Sequence, residues 1–399
     1  MDMLTRWRLI LALITVSFQG QAASPFTLGE FLNQVQKQSP DLQIDQALTS
    51  EVAARSEGSR ISPPMVGLMQ MKDASGTNRG LEIEQQIPFP TKIKKDIDAR
   101  RLESEVQKSN QAYGQALVLS KARSAYFEFW GSFEKLSIAK EKKNWLKTHA
   151  KISRSTTRSD SAAQVHLLGI ESEVDLLENE VVLAETNLSE KRILLKTYAP
   201  DISLEDIKPI TPPLQKIDFD PKSKSIVIQW KEKEFQAAEA NKSLQRQAYL
   251  PDIIVRYRGY NGNEATPRSE ELMVGITLPF LFFWQPKAES AEALGRSQRA
   301  QAELKKAEVE TEIKLKSLSL KIENLDRQLS LLETKVLPRA HKRMTLVENL
   351  SQRTMEGLNE HRTVMLDYME MKSKSVETRL ELEKSISELM VLIGQGAKL

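Results

Sequence analysis

Four histidines, His149, His166, His341 and His361, are the first residues to weigh for chemistry. Imidazoles hold a catalytic metal when they converge, most recognisably as HExxH on one helix face. No HxxH or HExxH arrangement occurs, and the chain has no cysteine. Ligand supply therefore argues against a zinc enzyme, and each histidine reads as a surface residue. Met355, Met365, Met369 and Met371 form a second group, because thioethers handle soft metals. Methionines at helical spacing more commonly fill a core, which is the reading adopted for these. Neither a GxSxG elbow nor a phosphate-binding glycine loop occurs. No catalytic activity, metal or cofactor is expected.

The remaining candidates are charges set in alternating strands. Glu82 and Glu84 interleave with Leu81, Ile83 and Ile87; Arg256 and Arg258 interleave with Ile253, Val255 and Tyr257. A further run alternates Leu272, Val274, Ile276 and Leu278 with Glu271, Met273, Gly275 and Thr277. Such period-two patterning suits a sheet with an apolar medium on one side and water on the other. In a membrane barrel these four charged residues line the lumen, where they tune which solutes pass. A sheet lying on a soluble core shows the same alternation, but every neighbouring helix here is committed to a long seam of its own.

The chain opens with Arg6 and Arg8, an apolar run Leu9–Phe18, then Gly20, Ala22 and Ala23, the layout of a secretory signal. Cleavage is expected after Ala22, and ten apolar residues are too few to span a bilayer of ~30 Å. Beyond the leader no apolar stretch approaches the ~20 residues of a membrane helix, so a membrane-spanning role requires strands. Removing Arg6, Arg8 and Asp2 leaves 55 Lys+Arg against 53 Asp+Glu. That near-neutral, finely mixed charge fits solvated helix faces and gives no footing for nucleic acid.

The elements repeat. Pro64 and Pro251, and the steps Ile87-Pro88-Phe89 and Leu278-Pro279-Phe280, recur roughly 190 residues apart, close to half the mature length. Each half reads as helix, strand hairpin, long helix, turn, long helix. In the first, helix covers about Leu28–Arg60 with a break near Pro40, strands Met65–Lys72 and Gly80–Ile87, then helices Lys92–Ile152 and Ala162–Tyr198. In the second, helix covers Lys222–Tyr249, strands Asp252–Tyr260 and Glu270–Pro279, then helices Lys287–Met355 and Asn359–Ile393. The organisation is thus a signal at 1–22, a first repeat at 23–198, a proline-rich linker or equatorial segment at 199–221, and a second repeat at 222–399. The linker carries five prolines and cannot be helix interior.

Apolar residues at Leu167, Ile170, Val174, Leu177, Val181, Ala184 and Leu188 step by three and four, and the second half repeats this from Leu315 through Leu318, Ile322, Leu325, Leu329 and Leu332 to Val336. These are coiled-coil stripes. Lys92–Ile152 alone would extend roughly 90 Å at about 1.5 Å per residue, far beyond a globular helix. Pro338 should kink its helix or mark a packing transition. Ser153–Ser161 and Thr354–Asn359 are the hairpin tips, the second closed by Gly357 through a positive φ. The fold class is mainly α, long antiparallel helical hairpins, plus four strands. Four strands of eight to ten residues match the ~9–11 needed to cross a bilayer but cannot close a barrel, whose smallest forms have about eight. Copies must pool them.

The segments Leu81-Glu82-Ile83-Glu84-Gln85-Gln86-Ile87-Pro88-Phe89-Pro90-Thr91-Lys92, Tyr249-Leu250-Pro251-Asp252, Gly275-Ile276-Thr277-Leu278-Pro279-Phe280, Val336-Leu337-Pro338-Arg339-Ala340 and Met355-Glu356-Gly357 followed by Met365-Leu366-Asp367 resemble the TolC-type outer-membrane efflux protein family. Among its members the outer components of heavy-metal (resistance-nodulation-division) exporters look most similar. The resemblance implies a homotrimer with a twelve-stranded barrel in the outer membrane of a Gram-negative envelope, continued by an α-barrel into the periplasm. It implies docking of a periplasmic adaptor at the tips, around Ser159, Asp160, Ser161, Gly357, Leu358 and Asn359, and through it an inner-membrane pump. Asp367 falls near the acidic position of the periplasmic aperture, one residue out of register. Cargo stays open between metal ions, drugs and proteins, the last through a type I secretion duct of the same build. A soluble periplasmic scaffold or adaptor would explain the helices but leaves four alternating strands without a purpose.

Overall fold

The computed structural model describes residues 25–58, 61–73, 76–156, 161–204, 207–214, 224–262, 267–351 and 355–394. In chain order the elements are β1 (Pro25–Phe26), α1 (Leu28–Gln38), α2 (Pro40–Glu57), β2 (Met65–Asp73), β3 (Gly76–Ile87), α3 (Pro90–Thr156), α4 (Ser161–Leu194), β4 (Lys208–Pro209), α5 (Ile226–Gln245), β5 (Ile253–Tyr260), β6 (Ser269–Ile276), α6 (Trp284–Leu331), α7 (Leu337–Ser351) and α8 (Met355–Ile393). No described helix is long and apolar enough to cross a membrane. The chain divides into two compact units. A helical unit takes residues up to Gln38, Ala122–Lys216 and Gln328–Glu381; a sheet unit takes Ser39–Lys121, Ile217–Arg327 and the chain from Leu382.

In the helical unit the coiled-coil stripe of α4 does what its spacing predicts. Ile170, Val174 and Leu177 pack with Leu146 of α3, with Trp145 and Ala150 alongside. Lysines 143 and 147 of α3 pair with Glu178, and Lys140 with Glu185. Paired charges flanking an apolar seam are coiled-coil chemistry. Ile138 of α3 packs with Met365 and Met369 of α8. The stripe on α6 lies against α8 in the sheet unit, where Leu318 meets Leu389 and Leu392.

A further core sits where the described part of the proline-rich segment lies against α3. Phe31, Tyr126, Phe127 and Phe129 are fully buried, and so is Ala199; Ile202, Leu204 and Ile207 are nearly so. β1 and β4 form a two-residue parallel bridge, Pro25 opposite Lys208 and Phe26 opposite Pro209. The Tyr126 hydroxyl lies 2.8 Å from both the Phe26 and Ile210 carbonyl oxygens. Trp130 donates to Thr211 (2.9 Å), and Arg379 to the Pro212 carbonyl (2.8 Å). The described part of this segment is therefore packed structure. Proline removes backbone donors, and side chains of α3 and α8 supply donors to its carbonyls.

The transition expected at Pro338 takes the form of a π turn at Leu332–Val336 just ahead of α7, so α3 is the longest unbroken helix among the described residues. Pro338 has no N–H to give the preceding turn, and the wider turn absorbs the lost bond. Gly357 does not close a turn: it lies inside α8, and Gly394 is the positive-φ glycine among the described residues. Met355, Glu356 and Leu358 are good helix formers, and a glycine costs only about 1 kcal/mol even in a helix interior.

Candidate functional site

The second sheet runs β2-β3-β5-β6, antiparallel throughout. Its two outer pairs are local hairpins; the central pair, β3 with β5, joins the two halves of the sequence. Gly80 stands opposite Tyr260 in that pair, and a Cβ on it would come within 2.6 Å of the Gly259 carbonyl oxygen. Only glycine permits the two strands to approach so closely there.

Register sorts the side chains into two faces, since residues directly opposite share a face. One face collects Val66 and Leu68 of β2, Leu81 and Ile83 of β3, Val255 and Tyr257 of β5, and Leu272, Val274 and Ile276 of β6. It is bare: Leu68 is 91% exposed, and Leu272, Val274 and Ile276 are 60–69% exposed. The other face brings together the four charged residues expected from the alternation. Arg258 donates to Glu82 (2.7 Å) and Arg256 to Glu84 (2.6 Å). Arg256 also stands 3.4 Å from Glu82, and Arg258 stands 3.9 Å from Glu271 of β6. The result is a continuous cross-strand ladder of alternating sign. Cross-strand opposite charges stabilise the pairing itself, and charge-assisted bonds from arginine are the stronger kind.

Where the sheet meets the helices, Asp252 gathers the junction. Its carboxylate accepts from Lys92 Nζ (2.8 Å), from the Phe89 backbone N–H (3.2 Å) and from Gln86 Nε2 (3.2 Å). Its own N–H donates to Thr277 Oγ1 at 2.7 Å, and the Thr277 N–H returns to its carbonyl at 2.9 Å. Thr277 is therefore engaged, which removes it as a freely water-facing position. Nothing in the sequence links Pro251-Asp252 with Thr91-Lys92: one precedes the first strand of its hairpin, the other follows the second strand of the other hairpin, and only the pairing of β3 with β5 brings them together.

Among the helices, the methionine group resolves into packing: Met365 and Met369 are buried beside Ile138. The surface reading of the histidines fails for His149, which is 2% exposed and stacks on Trp145 one turn earlier. His361 sets its ring edge-on to the same indole at 5.3 Å, and burial holds its pKa below the ordinary value against the opposing pull of Glu348. His341 is exposed and lies 5.6 Å from the Tyr368 ring; the side chain of His166 lies outside the described residues. No cluster of His, Asp or Glu suited to a metal occurs among the described residues. Asp367 is half exposed and 3.9 Å from Arg343, which also stands 3.9 Å from Glu360. Of the tip residues, Ser159 and Asp160 lie outside the described residues. Ser161 opens α4, and Gly357, Leu358 and Asn359 belong to the first turns of α8.

Comparison with known proteins supplies the last observation. No family model and no curated protein matches this sequence. Solved structures do. The Neisseria gonorrhoeae MtrE outer membrane channel in its open state shares 13% identity at a TM-score of 0.76, covering 93% of this chain and 89% of that one. CusC, described as undergoing conformational changes on folding and transmembrane channel formation, gives 13% and 0.76, with 91% of each chain covered. The Campylobacter jejuni CmeC outer membrane channel gives 12% and 0.73, covering 92% and 86%. Near-complete coverage in both directions, with the same small sheet and long helices, gives this chain the fold of the TolC-type outer-membrane channels.

Proposed function

We propose that the chain assembles as a homotrimer into the outer-membrane duct of a tripartite export system. It would receive cargo from a periplasmic adaptor and, through that adaptor, from an inner-membrane pump. The observation that carries this reading is the four-stranded sheet: apolar and bare on one face, charge-laddered on the other, and open at both edges. Open edges are normally blunted or covered. Three copies closing edge to edge make twelve strands, enough for a membrane barrel. Helix surfaces support the same assembly. Leu168, Leu176 and Leu183 on α4, and Val309, Ile313 and Leu320 on α6, are exposed on the sides away from the packed seams. Each forms a second stripe ready for a neighbouring helix.

On this reading residues 1–22 are an export signal, and the segments 23–198 and 222–399 are products of duplication around 199–221. The apolar sheet face meets outer-membrane lipid, and the ladder of Glu82, Glu84, Arg256 and Arg258 faces a water-filled lumen with its charges balanced in pairs. The helices reach into the periplasm. The adaptor docks at the two hairpin ends, around Ser159, Asp160 and Ser161 and around Gly357, Leu358 and Asn359, with Asp367 near the aperture. On the same reading the duct is passive, a path for cargo driven by the pump.

The protein purified in detergent is expected to weigh three chains by light scattering with the micelle subtracted; a monomer or dimer overturns the duct. A photocrosslinker at Leu358 is expected to capture the adaptor in cells. An intact trimer that captures nothing there removes the docking model and leaves the duct standing.

A further inference from the structure

The chain between β6 and α6 holds a run of large apolar side chains in the open. Phe280, Leu281, Phe282, Phe283 and Trp284 follow one another, and each keeps between 52% and 59% of its surface exposed. The run forms a 3₁₀ turn at Pro279–Phe282 and then enters α6. Its aromatic rings touch one another: Trp284 lies edge-on to Phe282 at 5.3 Å and to Phe283 at 5.8 Å. Five consecutive large apolar side chains in the open are far outside the ordinary scatter of single exposed hydrophobics.

The geometry selects the kind of partner. A 3₁₀ turn projects successive side chains about a third of a turn apart, so consecutive residues point in different directions. A groove on a protein grips one stripe of a helix and would leave the rest of this run in water. A fluid interface accepts apolar groups from several directions at once. The run is also continuous with the bare sheet face: Leu272, Val274 and Ile276 lead through Leu278 directly into it. Gln285, Pro286 and Lys287 follow, so apolar character stops abruptly after the indole. Tryptophan carries an apolar ring and a polar N–H, and is enriched where hydrocarbon meets headgroups. The corresponding step of the first half carries one aromatic residue, Phe89, half-buried and tied through its N–H to Asp252. The device therefore occurs once per chain, after β6 alone.

We propose that Phe280–Trp284 is an interfacial anchor that seats in the headgroup region of the bilayer on the helix side of the sheet, and fixes the depth of the sheet in the membrane. The inference rests on the membrane reading of the sheet, so its test measures both. The chain lacks cysteine, and Phe282→Cys, Val274→Cys and Lys305→Cys each give a unique site for a nitroxide label. The full protein is reconstituted into phosphatidylethanolamine–phosphatidylglycerol vesicles. Collision with oxygen, which concentrates in hydrocarbon, and with a water-soluble nickel chelate then reports depth.

Label 274 should collide with oxygen and exclude nickel, label 305 should do the reverse, and label 282 should fall between them at headgroup level. A second arm replaces Phe280, Phe283 and Trp284 with serine in the Val274→Cys protein; label 274 should then shift toward the aqueous reading. A deep reading at 274 with a fully aqueous one at 282 overturns the anchor and leaves the membrane-spanning sheet intact. So does a label at 282 shielded from both colliders, which would place a neighbouring copy over the run. An aqueous reading at 274 itself overturns the membrane reading, and the anchor with it.

Discussion

The core around Tyr126 and the face around Val274 are built from similar residues and are arranged inversely. Around Tyr126, apolar rings are sealed from solvent: Phe31, Tyr126 and Phe127 are fully buried, and the one polar atom among them is matched to backbone carbonyls. Around Val274 the apolar side chains face out, while the charged groups on the opposite face pair with each other. The first arrangement is what water imposes on a soluble core. The second is stable only if something other than water lies against the apolar face. Pairing the charges lets that face stay polar without a net field, so the ladder supports strand pairing.

Charging one face of the sheet at a time has the largest expected effect. Val274→Arg should destabilise the assembled protein by ~2–4 kcal/mol in lipid vesicles if the site lies near the membrane midplane. Met65→Arg places the same group on the other face, opposite Glu84, and should cost under ~1 kcal/mol, as an exposed ion pair does. Urea unfolding of both variants in vesicles checks this. Equal losses would mean that the two faces meet the same medium.

A smaller effect tests the sealed core. Tyr126→Phe keeps the ring and removes the hydroxyl that bridges Phe26 and Ile210. Burial pushes the phenol pKa well above its ordinary range, so that hydroxyl is a donor at every physiological pH. Leaving a buried carbonyl without it should cost ~1–3 kcal/mol. The measurement is thermal unfolding together with protease cleavage within 199–214; an unchanged cleavage rate would show that the proline-rich segment is held without Tyr126.

The smallest effect is the pH response of the helical unit. His361 binds its proton more weakly folded than unfolded, because burial penalises the imidazolium. Below the unfolded pKa, near 6.5, the unfolded chain takes up the proton first, so the His361 contribution to stability falls as pH drops through that value. It levels off below the folded pKa, where both states are protonated. His361→Gln should flatten the fall of Tm between about pH 6.5 and 5 relative to the parent. An unchanged slope would assign the acid sensitivity to other groups.

Much of this molecule was legible before its structure, for reasons of period. The stripe from Leu167 to Leu188 is buried or half-buried at every position against its neighbours, and so is that from Leu315 to Val336. A seam with steps of three and four has one geometry that hides it. Alternation assigned Val274 and Arg256 to opposite faces because successive strand residues must point oppositely. What stayed illegible is non-local. Glu82 and Arg258 are 176 residues apart, and nothing in either strand names the other as its neighbour. The β1–β4 bridge has two residues per strand, too few for any pattern. His149 looked like surface until Trp145 and the packed helices closed over it. Gly357 depended on where a helix starts, which side-chain types constrain weakly.

Local spacing in the sequence sets the elements and their apolar faces, because each follows from the period at which apolar residues recur. Tertiary structure alone decided which strands are neighbours, how four charges cancel along one ladder, and where Tyr126 and Asp252 place their hydrogen bonds. Those choices depend on closing loops of up to about 180 residues, whose entropic cost grows only slowly with length, so local sequence leaves them open and the packing of the whole chain settles them.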